Sequence, residues 1–194
     1  MYKKIPFLTS SELLCRMELS EKSKKILSGD DTPRVVIEKL TASGHDIDLL
    51  SFFSHALPPR EGICWGICCL SKHANWNCRE NSKTISSIIS WIKEPVERNR
   101  VACQTLAMEL GTDTPLGWLC LAVDWNGSGS IAPPENPVVM PVAFLYCKAL
   151  FGAVALSLGV GDEERTLLVQ NYTEIGLAVA QGDWPLPANW GGDV

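Results

Sequence analysis

The chain has 194 residues, of which 46% are hydrophobic and 20% are charged, and its formal net charge is −5. This length is typical of a single domain, and the composition excludes a disordered chain. No dense cluster of lysine and arginine is present to neutralise phosphates, which argues against nucleic-acid binding.

Residues 1–30 are predicted to form an N-terminal arm with at most a short helix, because short apolar pieces alternate with Ser, Lys and Glu. No apolar run in this arm is long enough for an export signal. We therefore expect a cytoplasmic protein whose eight cysteines are reduced. The helical domain is expected to span residues 31–183, followed by a Trp- and Pro-containing tail at residues 184–194.

Helix signals recur after the arm. Thr32 and Pro33 predict the cap and the first turn of a helix that ends at Ser43-Gly44. Asp46 is expected to cap the next helix, and Pro58 to end it. The sequence therefore predicts a pair of short helices joined by a tight turn.

The same signals continue through the middle of the chain. Ser82 is expected to cap a helix with isoleucines every three or four residues, and Pro95 to open the helix after it. Gly111 should end that helix, and Thr114-Pro115 should start the next one. A loop from Gly127 to Pro137 follows.

Residues 137–160 are almost entirely apolar, with Lys148 near the centre. A membrane span would make this lysine costly, so we expect a helix buried within a bundle and no stable membrane insertion. A last helix is expected to begin at Asp162, with an inward stripe formed by Leu168, Tyr172, Ile175 and Val179.

The fold class follows from these patterns. Strict alternation of apolar and polar residues is nowhere sustained, which argues against strands. We predict an all-α protein, either an antiparallel helical bundle or a short helical-hairpin array, with about seven to nine helices.

A cysteine-rich stretch contains the candidate metal ligands Cys64, Cys68, His73 and Cys78. Their spacing matches no standard zinc or iron–sulfur site, and a free cysteine behaves as a small apolar residue. We therefore expect core packing and no metal or cofactor. A metal-binding helical protein that uses the Cys64–Cys78 cluster is one alternative.

The sequence contains no nucleophile, zinc-protease or phosphate-binding motif. We therefore predict a protein that is not an enzyme and has no catalytic residue. The alternative is an enzyme whose site is assembled from scattered residues, for which His55, Glu61 and Arg100 are the candidates.

The seven tryptophans suggest two different roles. Trp118 and Trp125 lie two helical turns apart and should face the core, whereas Asp124 should point towards solvent or the following loop. Trp184 and Trp190 lie in the irregular tail. These two are candidate partner-binding residues, because aromatic side chains on such a segment either clamp it to the body or contact a partner.

The middle of the chain contains an ordered series of tryptophan–proline patterns, which are Pro58-Pro59-Arg60-Glu61, Trp65, Trp91-x3-Pro95, Asn99-Arg100 and Thr114-Pro115-Leu116-Gly117-Trp118. This order resembles an uncharacterised helical family of proteobacteria that is often encoded near type VI secretion genes. The resemblance implies a bacterial cytoplasmic protein with an accessory role near a secretion apparatus. The resemblance identifies no catalytic residue in this chain.

The leading functional hypothesis is a non-enzymatic protein-interaction module, such as an adaptor, a chaperone or an accessory protein linked to a bacterial secretion system. Its partner would be a protein, either a secreted effector or a component of the secretion apparatus.

Overall fold

A computed structural model describes residues 1–74, 76, 78–132, 135–159 and 161–185. Within these ranges the chain forms ten helices and no strand, which confirms the all-α helical bundle. The helices are α1 (Ser11–Leu14), α2 (Glu21–Ile26), α3 (Pro33–Ala42), α4 (Asp46–Ala56), α5 (Pro59–Leu70), α6 (Ser82–Lys93), α7 (Glu97–Leu110), α8 (Pro115–Asp124), α9 (Leu145–Ser157) and α10 (Asp162–Gln181). Helices α3 to α10 each have at least 10 residues.

Two helix starts form as the sequence predicts. The Thr32 hydroxyl accepts a hydrogen bond of 3.4 Å from the Val35 amide, and the Thr114 hydroxyl accepts one of 3.1 Å from the Gly117 amide. Each bond satisfies an amide that has no partner inside the helix. Gly111 ends α7 with a φ of 66°, a conformation that favours glycine.

Three helix starts differ from prediction by one or two residues. Asp46 and Ser82 are the first residues of their helices and do not cap them. As a first-turn residue, Asp46 places its negative charge at the positive end of the helix dipole. Pro95 does not open α7, because Val96 has an extended backbone and the helix begins at Glu97.

The apolar stretch of residues 137–160 is not one long helix. Residues 137–142 form no regular secondary structure, and the helical part is α9, which begins at Leu145. Two prolines, Pro137 and Pro141, prevent an earlier start because they cannot donate backbone hydrogen bonds. No helix within the described ranges is long and apolar enough to cross a membrane.

Helix α5 lies at the centre of the bundle and packs against α6, α8, α9 and α10. Trp65 is fully buried, and its indole N–H donates a hydrogen bond of 2.8 Å to the carbonyl oxygen of Tyr172. A Cβ atom on Gly66 would lie 2.7 Å from a methyl group of Leu150. Glycine at this position therefore allows α5 and α9 to approach closely.

The N-terminal arm packs against this bundle. Ile5 and Leu13 are buried within the hydrophobic core. The hydroxyl groups of Ser20 and Ser23 each donate a hydrogen bond of 2.6 Å to the carboxylate of Asp48 on α4. A buried carboxylate with several donors is a stable anchor, so α2 is held directly on α4.

Candidate functional site

A cavity of about 400 Å³ opens between the loop that follows α5, the ends of α7 and α9, and the start of α8. We call it the His73 pocket. Its wall is mainly apolar and includes Leu70, Trp76, Leu110, Pro115, Leu116 and Leu156. Four polar residues also line it, namely His73, Asn81, Thr114 and Ser157. A concave, mostly apolar cavity of this size with a few polar groups is typical of ligand sites.

A chain of hydrogen bonds runs along one wall of the pocket. The Nε2 atom of His73 lies 2.7 Å from the hydroxyl of Tyr172, which lies 2.8 Å from the hydroxyl of Ser157. Ser157 donates its only hydroxyl hydrogen to the carbonyl oxygen of Val154, at 2.7 Å. Tyr172 therefore donates to Ser157, and His73 carries its proton on Nε2 and donates to Tyr172.

The members of this chain are uncharged near neutral pH. Burial lowers the pKa of His73, an effect that the carboxylate of Glu164 partly offsets. Burial also raises the pKa of the Tyr172 hydroxyl. An uncharged polar group costs less to bury than a charged one, so the chain matches its apolar surroundings.

The order of the chain determines what chemistry it supports. An activated serine nucleophile requires a histidine beside its hydroxyl to accept the proton. Here Tyr172 separates His73 from Ser157, and the serine proton rests on a backbone carbonyl. The arrangement positions hydrogen-bonding groups at a pocket wall and does not activate a nucleophile.

A second serine–histidine–aspartate cluster lies where the arm meets α4. The Ser23 hydroxyl donates to Asp48, and His45 Nδ1 lies 2.8 Å from the same hydroxyl. Serine is the middle member, whereas a catalytic triad requires histidine in that position. Since Ser23 is fully buried, this cluster joins the arm to the bundle.

The largest difference from the sequence analysis concerns Asp124. We expected this residue to point towards solvent or the following loop, but it is 3% exposed and forms an ion pair with Arg100, which is 2% exposed. The Arg100 guanidinium also forms two hydrogen bonds of 2.7 Å to the carboxylate of Glu97. The expectation was wrong because α7 packs on the face of α8 that carries Asp124.

The loop after α8 lies directly on this buried cluster. A Cβ atom on Gly129 would be 2.5 Å from the Nε atom of Arg100, so no larger residue fits without displacing the guanidinium. The adjacent Ser130 accepts a hydrogen bond at its carbonyl from the Gln104 side chain. The Arg100–Asp124 ion pair therefore links α7 to α8, and the loop after α8 packs against it.

This cluster should make stability depend on pH. Burial raises the pKa of Asp124 to about 6; the positive charge of Arg100 offsets part of this increase, and the negative charge of Glu97 adds to it. The folded state then holds this proton more tightly than the unfolded state, so the stabilisation from Asp124 decreases as the pH rises from about 4 to about 6.

Urea melts of the parent and Asp124→Asn across this pH range should reveal the titration. The asparagine cannot ionise, so the difference in unfolding free energy between the two proteins should shift by about 2–3 kcal/mol in favour of the variant as the pH rises. Parallel curves for the two proteins would contradict this assignment.

The residues suggested for a scattered active site each have a separate partner. His55 is buried, and its Nδ1 atom lies 2.8 Å from the carbonyl oxygen of Ser51. Glu61 pairs with Lys4 at 3.1 Å. Arg100 belongs to the ion pair described above. The Glu61 and Arg100 contacts join different parts of the fold, whereas the His55 contact lies within α4.

The cysteine-rich stretch is also divided by the fold. Cys64 and Cys68 are buried on α5, where hydrogen bonding to Cys68 and burial raise the pKa of the Cys64 thiol. His73 contacts Tyr172 instead, and Cys78 is half-buried in the following loop. Across the part of the chain that the structure describes, no three Cys, His, Asp or Glu residues form a group that could hold a metal ion.

The tryptophans lie both in the core and on its rim. Trp118 and Trp125 are partly buried against the core. Trp184 is 37% exposed and lies against two cations, 4.8 Å from the guanidinium of Arg60 and 5.7 Å from Nζ of Lys4. These cation–π contacts attach the beginning of the tail to the body. Trp190 lies outside the described residues.

An irregular stretch before α9, which we call the 137–142 segment, exposes four large apolar side chains. They are Val138 at 77%, Val139 at 49%, Met140 at 52% and Val142 at 71%. A hydrogen bond of 2.9 Å from the Ile131 amide to the Val139 carbonyl, and one of 3.1 Å from the Val139 amide to the Ser130 hydroxyl, hold the segment on the loop.

The sequence could have revealed part of these two sites. Tyr172 was predicted on the inward face of α10, but its contact with His73 joins residues 99 positions apart. The 137–142 segment contains two prolines that could have separated it from the helix that follows. The exposure of this segment depends on how the helices of the bundle pack, and no local sequence pattern predicts that packing.

The fold and its two surface features define an all-helical domain with a ligand-sized, mainly apolar pocket and an exposed apolar segment. A family model matches residues 36–180, and the chain belongs to this family of unknown function, DUF6931. No curated protein and no solved structure shows significant similarity to the chain.

Proposed function

We propose that the protein is a non-enzymatic protein-interaction module, and that the 137–142 segment is its contact surface. The observation that carries this proposal is the exposure of Val138, Val139, Met140 and Val142 on one short segment. Contiguous exposed apolar side chains are uncommon on soluble domains, and they often mark sites of protein association.

The backbone of the segment supports one mode of binding. The Val139 amide donates to the Ser130 hydroxyl, and its carbonyl accepts from the Ile131 amide. The backbone groups of the neighbouring Val138 and Met140 have no hydrogen-bond partner among the residues that the structure describes. A peptide of the partner could form hydrogen bonds with these backbone groups while its apolar side chains cover the exposed valines.

The family resemblance of the tryptophan–proline patterns extends the proposal to a biological setting. The partner would be a secreted effector or a component of a bacterial type VI secretion apparatus. The module would then act in the cytoplasm as an adaptor, a chaperone or an accessory protein.

A capture experiment with matched variants tests the proposal. The parent, a Val138→Ser/Val142→Ser variant and a control Met108→Ser/Leu167→Ser variant would be used to capture proteins from the source organism. The control residues are also exposed and apolar, at 76% and 60%, but lie on α7 and α10. Because all four side chains are exposed, each variant should fold normally.

We expect the parent and the control to capture the same protein, and the segment variant to bind this protein at least about tenfold more weakly once it is purified. Equal binding by the segment variant would place the contact surface elsewhere. Failure of the parent to capture any protein would contradict the interaction function itself.

A further inference from the structure

We infer that the His73 pocket is a binding site for an uncharged, mainly apolar small molecule that carries a hydroxyl or amide group. This site is separate from the 137–142 segment, and its ligand is independent of the protein partner proposed above. The inference rests on the size of the pocket, the absence of charge from its described wall, and the hydrogen-bonding capacity of its polar residues.

The shape of the pocket indicates a small molecule. Its volume of about 400 Å³ lies within the range of sites that enclose a compact organic ligand. Three helix ends and one loop supply the wall, so a ligand would contact several elements at once. Leu156 lies at the mouth and is 48% exposed, which gives a direct position for blocking entry.

The chemistry of the wall indicates an uncharged ligand. Among the described residues that line the pocket, none is Lys, Arg, Asp or Glu. Burial lowers the pKa of His73, so the imidazole is neutral near pH 7. A charged ligand would lose hydration without gaining a counter-charge here, which is strongly unfavourable.

Three lining residues can still form hydrogen bonds with a ligand. His73 donates through Nε2 to Tyr172, which leaves Nδ1 of the neutral ring as an acceptor. The amide nitrogen of Asn81 is bound to the carbonyl of Trp76, which leaves the Asn81 amide oxygen as a second acceptor. The Thr114 hydroxyl accepts from Gly117 and retains its own hydrogen to donate.

Together these groups offer two acceptors and one donor beside an apolar wall. A primary amide has two N–H donors and one carbonyl acceptor and so matches all three groups, whereas a hydroxyl matches the donor and one of the acceptors. A purely hydrocarbon ligand would leave these polar groups without partners, which costs binding free energy. The chain from His73 to Val154 fixes the histidine ring and so prepares the pocket for this recognition.

Two fluorescent probes with the same ring skeleton test the inference. N-phenyl-1-naphthylamine is neutral and carries one N–H donor, whereas 8-anilino-1-naphthalenesulfonate adds a negative charge to that skeleton. We expect saturable binding of the neutral probe at about one molecule per chain, and at least about tenfold weaker binding of the anionic probe.

Two leucine variants locate the binding. Leu156→Glu would place a carboxylate at the pocket mouth, whereas Leu167→Glu makes the same change at a 60% exposed position outside the pocket. We expect Leu156→Glu to weaken binding of the neutral probe by at least about tenfold, and Leu167→Glu to leave it unchanged. Thermal melts of both variants would confirm that each remains folded.

Binding that survives Leu156→Glu, or equal binding of the two probes, would overturn the inference. The Val138→Ser/Val142→Ser variant separates this result from the interaction function. If this variant no longer binds the neutral probe, then the probe binds the 137–142 segment and the His73 pocket is not the site. If it retains the probe, failure to capture a protein partner would leave the pocket assignment intact.

Discussion

Replacement of Arg100 by methionine is expected to lower the free energy of unfolding by about 3–5 kcal/mol at a pH near 8. Arg100 is 2% exposed and forms an ion pair with the buried Asp124. Methionine fills much of the same volume, so the main change is a carboxylate left without its counter-charge. Urea melts monitored by circular dichroism would measure the loss.

Three comparisons separate charge from packing in this variant. Glu97→Gln should cost at most about 1 kcal/mol, because the Glu97 side chain is 58% exposed. The Arg100→Met/Asp124→Leu double variant should recover most of the loss, since neither buried charge remains. At a pH near 5 the loss should shrink, because Asp124 can take up a proton. A loss independent of pH and unchanged in the double variant would indicate a packing defect.

Replacement of Trp65 by alanine is expected to lower the free energy of unfolding by about 4–6 kcal/mol. The indole is fully buried, and its ring centroid lies 5.7 Å from that of Phe53. The change would empty a large site at the centre of the bundle and remove the hydrogen bond that the indole donates to the Tyr172 carbonyl. The same urea melts would measure the effect.

Trp184→Ala is the matched control for this substitution. Its ring is 37% exposed and contacts cations at the surface, so we expect a loss of about 1 kcal/mol or less. If the two variants lost equal stability, Trp65 would not occupy the centre of the core. Retention of parental stability by Trp65→Ala would contradict the described packing in the same way.

Local signals in the sequence were sufficient for much of the fold. Thr32 and Thr114 cap their helices with their own side chains, and Gly111 ends α7 through its own backbone conformation. Each of these helix starts and ends depends on a few adjacent residues. This is why the all-α class and several helix boundaries could be predicted.

The polar clusters could not be predicted, because they depend on helices that are distant in sequence. Asp124 was placed off the inward face of α8, but Arg100 on α7 covers that second face. The pocket wall likewise requires His73 and Tyr172 to meet across the bundle. Hydrophobic periodicity identifies one buried face of a helix, and it does not record which other faces a neighbouring helix will cover.

The contacts at the two ends of the described chain have a topological consequence. The Lys4 amide donates to the Ala180 carbonyl at 2.9 Å, and the Lys4 ammonium lies beside the Trp184 ring. Within the described residues, the start of the N-terminal arm therefore lies beside the end of α10 and the residues that follow it. A circular permutant that joins these regions by a short linker and opens at Gly44, an exposed turn between α3 and α4, would retain every helix in its present neighbourhood.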